Sequence, residues 1–168
     1  MKAQRLLLPA ILSCLAAAQP SCYSFRGTSI SPNISTYYVN NFQNNADNAP
    51  AGISIDFSEA LKEKIRTQSR LTLADTDPDI EFRGTIVDYR ISAEAPQPDE
   101  RTALNRLTII TAVEYINHRE EGKNWKSNFS FFYDFPSSQD FTSVREVATL
   151  TIANQIMEDI FNKSFNDW

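Results

Sequence analysis

The sequence predicts an α+β fold: a two-layer sandwich with two helices packed on one face of a mostly antiparallel sheet of four to five strands. Three observations lead there. Two segments carry apolar residues at helical spacing, Ile53, Phe57, Leu61 and Ile65 in one and Val144, Ala148, Ile152, Ile156 and Ile160 in the other. Between them lie segments that alternate apolar and polar residues, most clearly Trp125, Phe129, Phe131, Tyr133 and Phe135. Short turns separate these segments, and strands joined by short turns pair antiparallel.

The chain begins with a secretory leader, residues 1–21. Lys2 and Arg5 give a short positive start, residues 6–18 (LLLPAILSCLAAA) are apolar, and Gln19-Pro20-Ser21 precede Cys22. The apolar stretch is shorter than the ~20 residues that span a bilayer. Cys14 leaves with the leader, so Cys22 has no partner for a disulfide within the mature chain. It stands where bacterial lipoproteins are cut, and lipidation there predicts that Cys22 becomes the new N-terminus and carries the anchor. Gln19 departs from the aliphatic residue usual at that position. The alternative is cleavage after Ala16-Ala17-Ala18, which leaves Cys22 a free thiol. Residues 22–35, rich in Ser, Thr, Gly and Pro, then form a lipidated tether, and residues 36–168 form a single domain.

Along that domain, Thr36 to Phe42 is β-branched and aromatic and predicts the first strand, with a loop from Gln43 to Gly52. Asp56 and Glu59 have capping-box spacing at the head of the first helix. Arg70 to Ala74 alternates briefly, and Asp75-Thr76-Asp77-Pro78-Asp79 predicts a plain turn, since it lacks the glycine and closing Glu of a calcium loop. In the next strand Ile80, Phe82 and Ile86 share one phase, but Val87, Tyr89 and Ile91 share the other. Either a bulge sits near Gly84 to Val87, or the far end of the strand buries its opposite face. Pro96, Pro98, Asp99 and Glu100 mark a turn, Leu107 to Tyr115 a strand, and Asn117 to Lys123 another turn. The aromatic stripe from Trp125 to Phe135 is expected to be core. Ser143 to Glu146 offers a second capping box, and Val147, Leu150, Met157 and Phe161 widen the stripe of the last helix.

Chemistry is not signalled. His118 is the only histidine, it lies in a charged turn, and it has no metal-ligand spacing around it. There is no nucleophile motif and no glycine-rich phosphate loop. No enzyme, cofactor, metal or catalytic residue is expected, and ligand-binding residues are not identifiable. The net charge is −5, and loss of Lys2 and Arg5 makes the mature chain two units more negative. Arg83, Arg90, Arg101 and Arg106 are scattered surface charge, so nucleic acid is not an expected partner.

The ordered features resemble a divergent branch of the lipopolysaccharide-assembly lipoprotein family LptE. The resemblance rests on Cys22-Tyr23-Ser24-Phe25-Arg26-Gly27-Thr28-Ser29-Ile30, Thr36 to Phe42, and Phe57-Ser58-Glu59-Ala60-Leu61. It continues through Arg70-Leu71, Phe82-Arg83-Gly84-Thr85-Ile86 with Tyr89, Arg106-Leu107-Thr108-Ile109, and Glu158 to Asn162 with Trp168. It implies two helices on a mostly antiparallel sheet and an outer-membrane location on the periplasmic side, held by the lipid on Cys22. It also implies a 1:1 plug inside the barrel LptD that assists lipopolysaccharide insertion, with lipopolysaccharide itself as a further ligand. No lipopolysaccharide-contacting position aligns, so none is carried over. The alternative is a free-standing envelope lipoprotein that binds a small or lipidic ligand in an aromatic groove.

Overall fold

The computed structural model describes residues 29–95 and 103–166. The chain runs β1 (Thr36–Val39), β2 (Gln43–Asn44), α1 (Ile53–Gln68), β3 (Thr72–Leu73), β4 (Ile80–Glu94) and β5 (Leu104–Asn117). A 3-10 turn (Glu121–Lys123), β6 (Trp125–Pro136) and α2 (Phe141–Phe165) complete it. The expected leader, Cys22, the turn at Pro96 to Glu100, Arg101 and Trp168 lie outside the described residues.

The strands form one mixed sheet of six, in the order β3-β1-β4-β5-β6, with β2 also beside β4. The expectation of four to five mostly antiparallel strands is corrected on both counts. β4, β5 and β6 pair antiparallel, while β1 pairs parallel with β3 and β4, and β2 parallel with β4. The reason lies in connectivity: the chain leaves β1 and returns through α1, and such a crossover brings the next strand back in the same direction.

The first predicted strand is interrupted. Pairing stops at Val39 and resumes at Gln43, which lies opposite Thr85. In the gap Phe42 turns into the core, and its N–H donates to the buried Ser58 Oγ at 2.8 Å. That ring lies against Gly84, where an added Cβ would fall within the Phe42 side chain. Gly84 is therefore required by close packing and not by an unusual φ.

The phase change in β4 is a bulge. The register passes from Ile86 opposite Thr111 to Asp88 opposite Ile110, leaving Val87 without a partner. One extra residue restores the phase, so Tyr89 returns to the inner face opposite Ile109 and is buried. Val87, the bulged residue, stays exposed, whereas Ile91 shares the face of Tyr89 opposite Leu107 but is exposed toward the end of the strand.

Both helices cover the same face. Ile53, Phe57, Leu61 and Ile65 of α1 and Ala148, Ile152, Ile156 and Ile160 of α2 are buried with Phe82, Ile86, Leu107, Ile109 and Phe135. Each helix begins earlier than its capping-box spacing suggests. Gly52, with φ 96°, precedes α1, and neither helix has a side-chain cap at its first turn. Asp56 lies inside α1, where its charge favours the positive helix end. Ser143 instead donates to the Asp140 carbonyl at 2.7 Å. Burial of Ile53 and of the half-buried Phe141 fixes these starts more strongly than a cap does. On α2, Met157 and Phe161 do join the core, whereas Val147 and Leu150 are 58% and 50% exposed, pointing away from the sheet.

Candidate functional site

Two features stand apart from this core: the end where the N-terminal segment enters, and the sheet face that carries no helix among the described residues.

The entering segment is held by hydrogen bonds as well as by Ile34, buried in the core, and Ile30, packed against it. Ser29 N–H donates to the Phe165 carbonyl at 2.7 Å, and Arg70 Nη2 to the Ser31 carbonyl at 2.7 Å. The principal clasp is Asp79, only 3% exposed. Its Oδ2 accepts from Ser35 N at 2.7 Å, Ser35 Oγ at 2.9 Å and Thr36 N at 3.0 Å. Its Oδ1 accepts from Arg119 Nε at 2.6 Å. The Ser35 backbone bond, helped by Arg119 and Thr36, holds this carboxyl well below the usual carboxylate range despite the opposing cost of burial. One carboxylate thus joins the N-terminal segment, the head of β4 and the turn after β5. The chain bends through Asp75 to Asp79 as expected for a turn, with Asp77 at φ 47°, and its last member is in addition a buried tie.

A cavity of about 380 Å³ opens at the same end, lined by Ile30, Pro32, Tyr115, Trp125 and Lys163 among others. Tyr115 stacks on Trp125 at 5.5 Å, and Lys163 Nζ lies 5.4 Å from the Trp125 ring centre. Burial pushes the Tyr115 hydroxyl up to about 12.

The face opposite the helices is polar. The bulge matters here, because it puts Arg83 and Arg90 on one side of β4 although their spacing in a regular strand would put them on opposite sides. Arg106 of β5 lies opposite Ser92 and shares that face. Each arginine has a carboxylate: Arg83 binds Glu81 at 2.9 Å, Arg106 binds Asp134 at 2.7 Å, and Arg90 pairs with Asp88. Lys126 pairs with Glu114 at 3.0 Å, and the Arg106 guanidinium lies 3.8 Å over the Phe132 ring. Such solvent-screened pairs add little to stability; they leave the face covered with both signs of charge. A shallow depression of about 650 Å³ lies among Arg83, Thr85, Glu114, Lys126 and Asn128.

His118 is in the expected turn, its Nε2 3.6 Å from Glu81. Among the described residues no three His, Cys, Asp or Glu side chains gather as a metal site. Phe129 and Phe135 are buried in the core cluster, with Trp125, Phe131 and Tyr133 packed against it. The stripe is therefore core at Phe129 and Phe135 and half-buried at Trp125, Phe131 and Tyr133, with Trp125 also lining the cavity. Sequence reasoning missed two groups: the convergence of Arg83, Arg90 and Arg106, and the role of Asp79. The first was recoverable from the phase slip; the second carried no local signal, since its partners are some forty residues away.

The fold and these surfaces define a two-layer α+β domain that presents a charged, polar sheet face and ties its N-terminal segment down at one end. Residues 34–164 match the lipopolysaccharide-assembly family LptE, and the chain belongs to that family. Comparison with curated proteins gives no match. Among solved structures it is similar to a minor lipoprotein from Acinetobacter baumannii, at 8% identity and a TM-score of 0.50, covering 79% of this chain and 96% of that one. A hypothetical protein from Chlamydia trachomatis is 7% identical with a TM-score of 0.50, covering 78% and 98%. A putative neuraminyllactose-binding hemagglutinin homolog from Helicobacter pylori is 8% identical with a TM-score of 0.51, covering 84% and 91%. These likenesses establish the fold alone.

Proposed function

We propose that this chain is an outer-membrane lipoprotein, lipidated at Cys22 on the periplasmic side, that plugs the LptD barrel as a 1:1 partner and assists lipopolysaccharide insertion without catalysing a reaction. The observation that carries this reading is the family match over residues 34–164. The bare polar sheet face supports it, because a domain inside a barrel meets a polar lumen and needs paired charges and hydroxyls, not an apolar patch. The clasp at Ser35 supports the anchoring half. Ser29 follows Cys22 by seven residues, a reach of at most about 25 Å, so an acyl group on Cys22 keeps the domain close to the membrane and raises its effective concentration near the barrel.

Affinity purification of the full chain from detergent extracts is expected to recover the barrel in equal amount; preparations consistently free of it would end the plug reading. Cys22→Ala is expected to release the protein into the soluble periplasmic fraction, and mass spectrometry showing an unmodified Cys22 in the native protein would end the lipidation reading.

A further inference from the structure

The sheet has two edges of very different character. β3 is two residues long, whereas β6 runs from Trp125 to Pro136 with an unbroken register against β5. Among the described residues nothing pairs with its other side. Ser137 N–H donates to the Ala103 carbonyl at 2.9 Å, and Leu104 lies opposite Pro136. By the alternation of an antiparallel ladder, odd-numbered residues of β6 turn their backbone toward β5 and even-numbered residues turn it outward. Pro136, which has no N–H, falls in the outward set as expected. Lys126, Asn128, Ser130, Phe132 and Asp134 thus leave their N–H and C=O groups without a partner among the described residues along this edge. The usual guards of such an edge, an internal proline, a bulge or a very short strand, are missing, and one lysine stands at its start.

We propose that this edge pairs antiparallel with the β6 edge of a second copy of the chain, about a two-fold axis through Ser130. In that register Ser130 faces Ser130, Asn128 faces Phe132 and Lys126 faces Asp134, and each outward pair exchanges two backbone hydrogen bonds. Charge complementarity selects this register. The Arg106–Asp134 pair of one copy, at 2.7 Å, continues into the Lys126–Glu114 pair of the other, at 3.0 Å, as a row of alternating sign. Sliding by two residues puts Lys126 opposite Phe132 or Pro136 and loses the row. On the inner face Phe129 meets Phe131 and Ser127 meets Tyr133, so rings left half-buried at the edge, Phe131 and Tyr133, gain cover.

This inference does not rest on the barrel reading; it concerns the chain before or apart from that complex. The test is the mass of the purified full chain in detergent by light scattering, without barrel, together with residue-resolved amide exchange. The expected result is a doubled protein mass, with the even-numbered amides of β6 slowing as concentration rises. Ser130→Pro is expected to return the monomer with an unchanged fold, because residue 130 gives no hydrogen bond to β5. Ser130→Asp, which sets two carboxylates across the axis, is expected to do the same should the proline variant fail to fold. A monomer at all concentrations, free exchange of those amides, or a dimer that survives in a folded Ser130 variant overturns the proposal. A monomer that still captures the barrel would sink the dimer and leave the plug standing.

Discussion

Replacing Asp79 by Asn tests whether one carboxylate fastens the N-terminal segment to the sheet. The isosteric amide keeps an oxygen for Ser35 N, Ser35 Oγ and Thr36 N, which lie 2.7, 2.9 and 3.0 Å from Oδ2. It loses the charge, and it turns an NH2 toward Arg119 Nε, so donor faces donor where a 2.6 Å bond had been. A hydrogen bond to a charged acceptor is worth roughly 1.5–3 kcal/mol against about 0.5–1.5 kcal/mol for a neutral one. The three retained bonds, each weakened by about 1 kcal/mol, give a loss of about 3 kcal/mol before the lost Arg119 bond adds to it, or a fall of roughly 10 °C or more in Tm for a domain of this size. The pH dependence fixes the cause. The folded-state pKa of Asp79 lies below its unfolded value, so its contribution is complete above the ordinary carboxyl range and is lost as the pH falls through that range toward the folded value. Urea unfolding at pH 7 and pH 3 is the assay. Between them the gap from wild type to Asp79→Asn is expected to shrink by about 1 kcal/mol, since one unit below the unfolded pKa removes about 1.4 kcal/mol. A variant as stable as wild type at pH 7, or a gap that does not change with pH, refutes the clasp.

Two further substitutions test the geometry of β4. Gly84→Ala is expected to cost about 2–3 kcal/mol by overpacking against Phe42, and Gly84→Ala with Phe42→Leu is expected to recover part of that loss in the same unfolding assay. Deleting Val87 is expected to leave a folded domain with Tyr89 still buried, because Asp88 and Tyr89 then follow Ile86 in regular alternation. Near-ultraviolet circular dichroism unlike that of the wild type would contradict it.

Most of the architecture was legible because it is written in local periodicity. The spacing of Ile53, Phe57, Leu61 and Ile65 marks α1, and the alternation from Trp125 to Phe135 marks β6 with the correct inner face. The phase slip after Ile86 pointed to a bulge, which lies at Val87. What stayed hidden is non-local. Parallel pairing of β1 and β3 depends on where α1 carries the chain, and no residue within Thr36 to Val39 reports it. The pairing of Gln43 and Asn44 with β4 depends on Phe42 finding room over Gly84, a fit between residues forty-two positions apart. The capping boxes misplaced the helix starts because burial of Ile53 decides more energy than a cap does.

The bulge ties fold to surface. Without it, and with every residue from Arg83 to Arg90, Val87 included, in regular alternation, Arg83 and Arg90 would lie on opposite faces, and with Ile86 inside Tyr89 would leave the core. With it, Tyr89 sits beneath α2, its hydroxyl 3.3 Å from Thr149 Oγ1, while Arg83, Arg90 and Arg106 share the bare side. Because Glu81, Asp88 and Asp134 pair with these arginines, the face carries alternating charge and little net field. A surface of that kind has weak long-range steering in salt, since screening leaves only contacts within about 10 Å. Any discrimination by such a face would act at short range, where each arginine and carboxylate must meet its complement. Under the proposed function, finding the partner would fall to a lipid at Cys22, and recognising it would fall to the polar face on β4, β5 and β6.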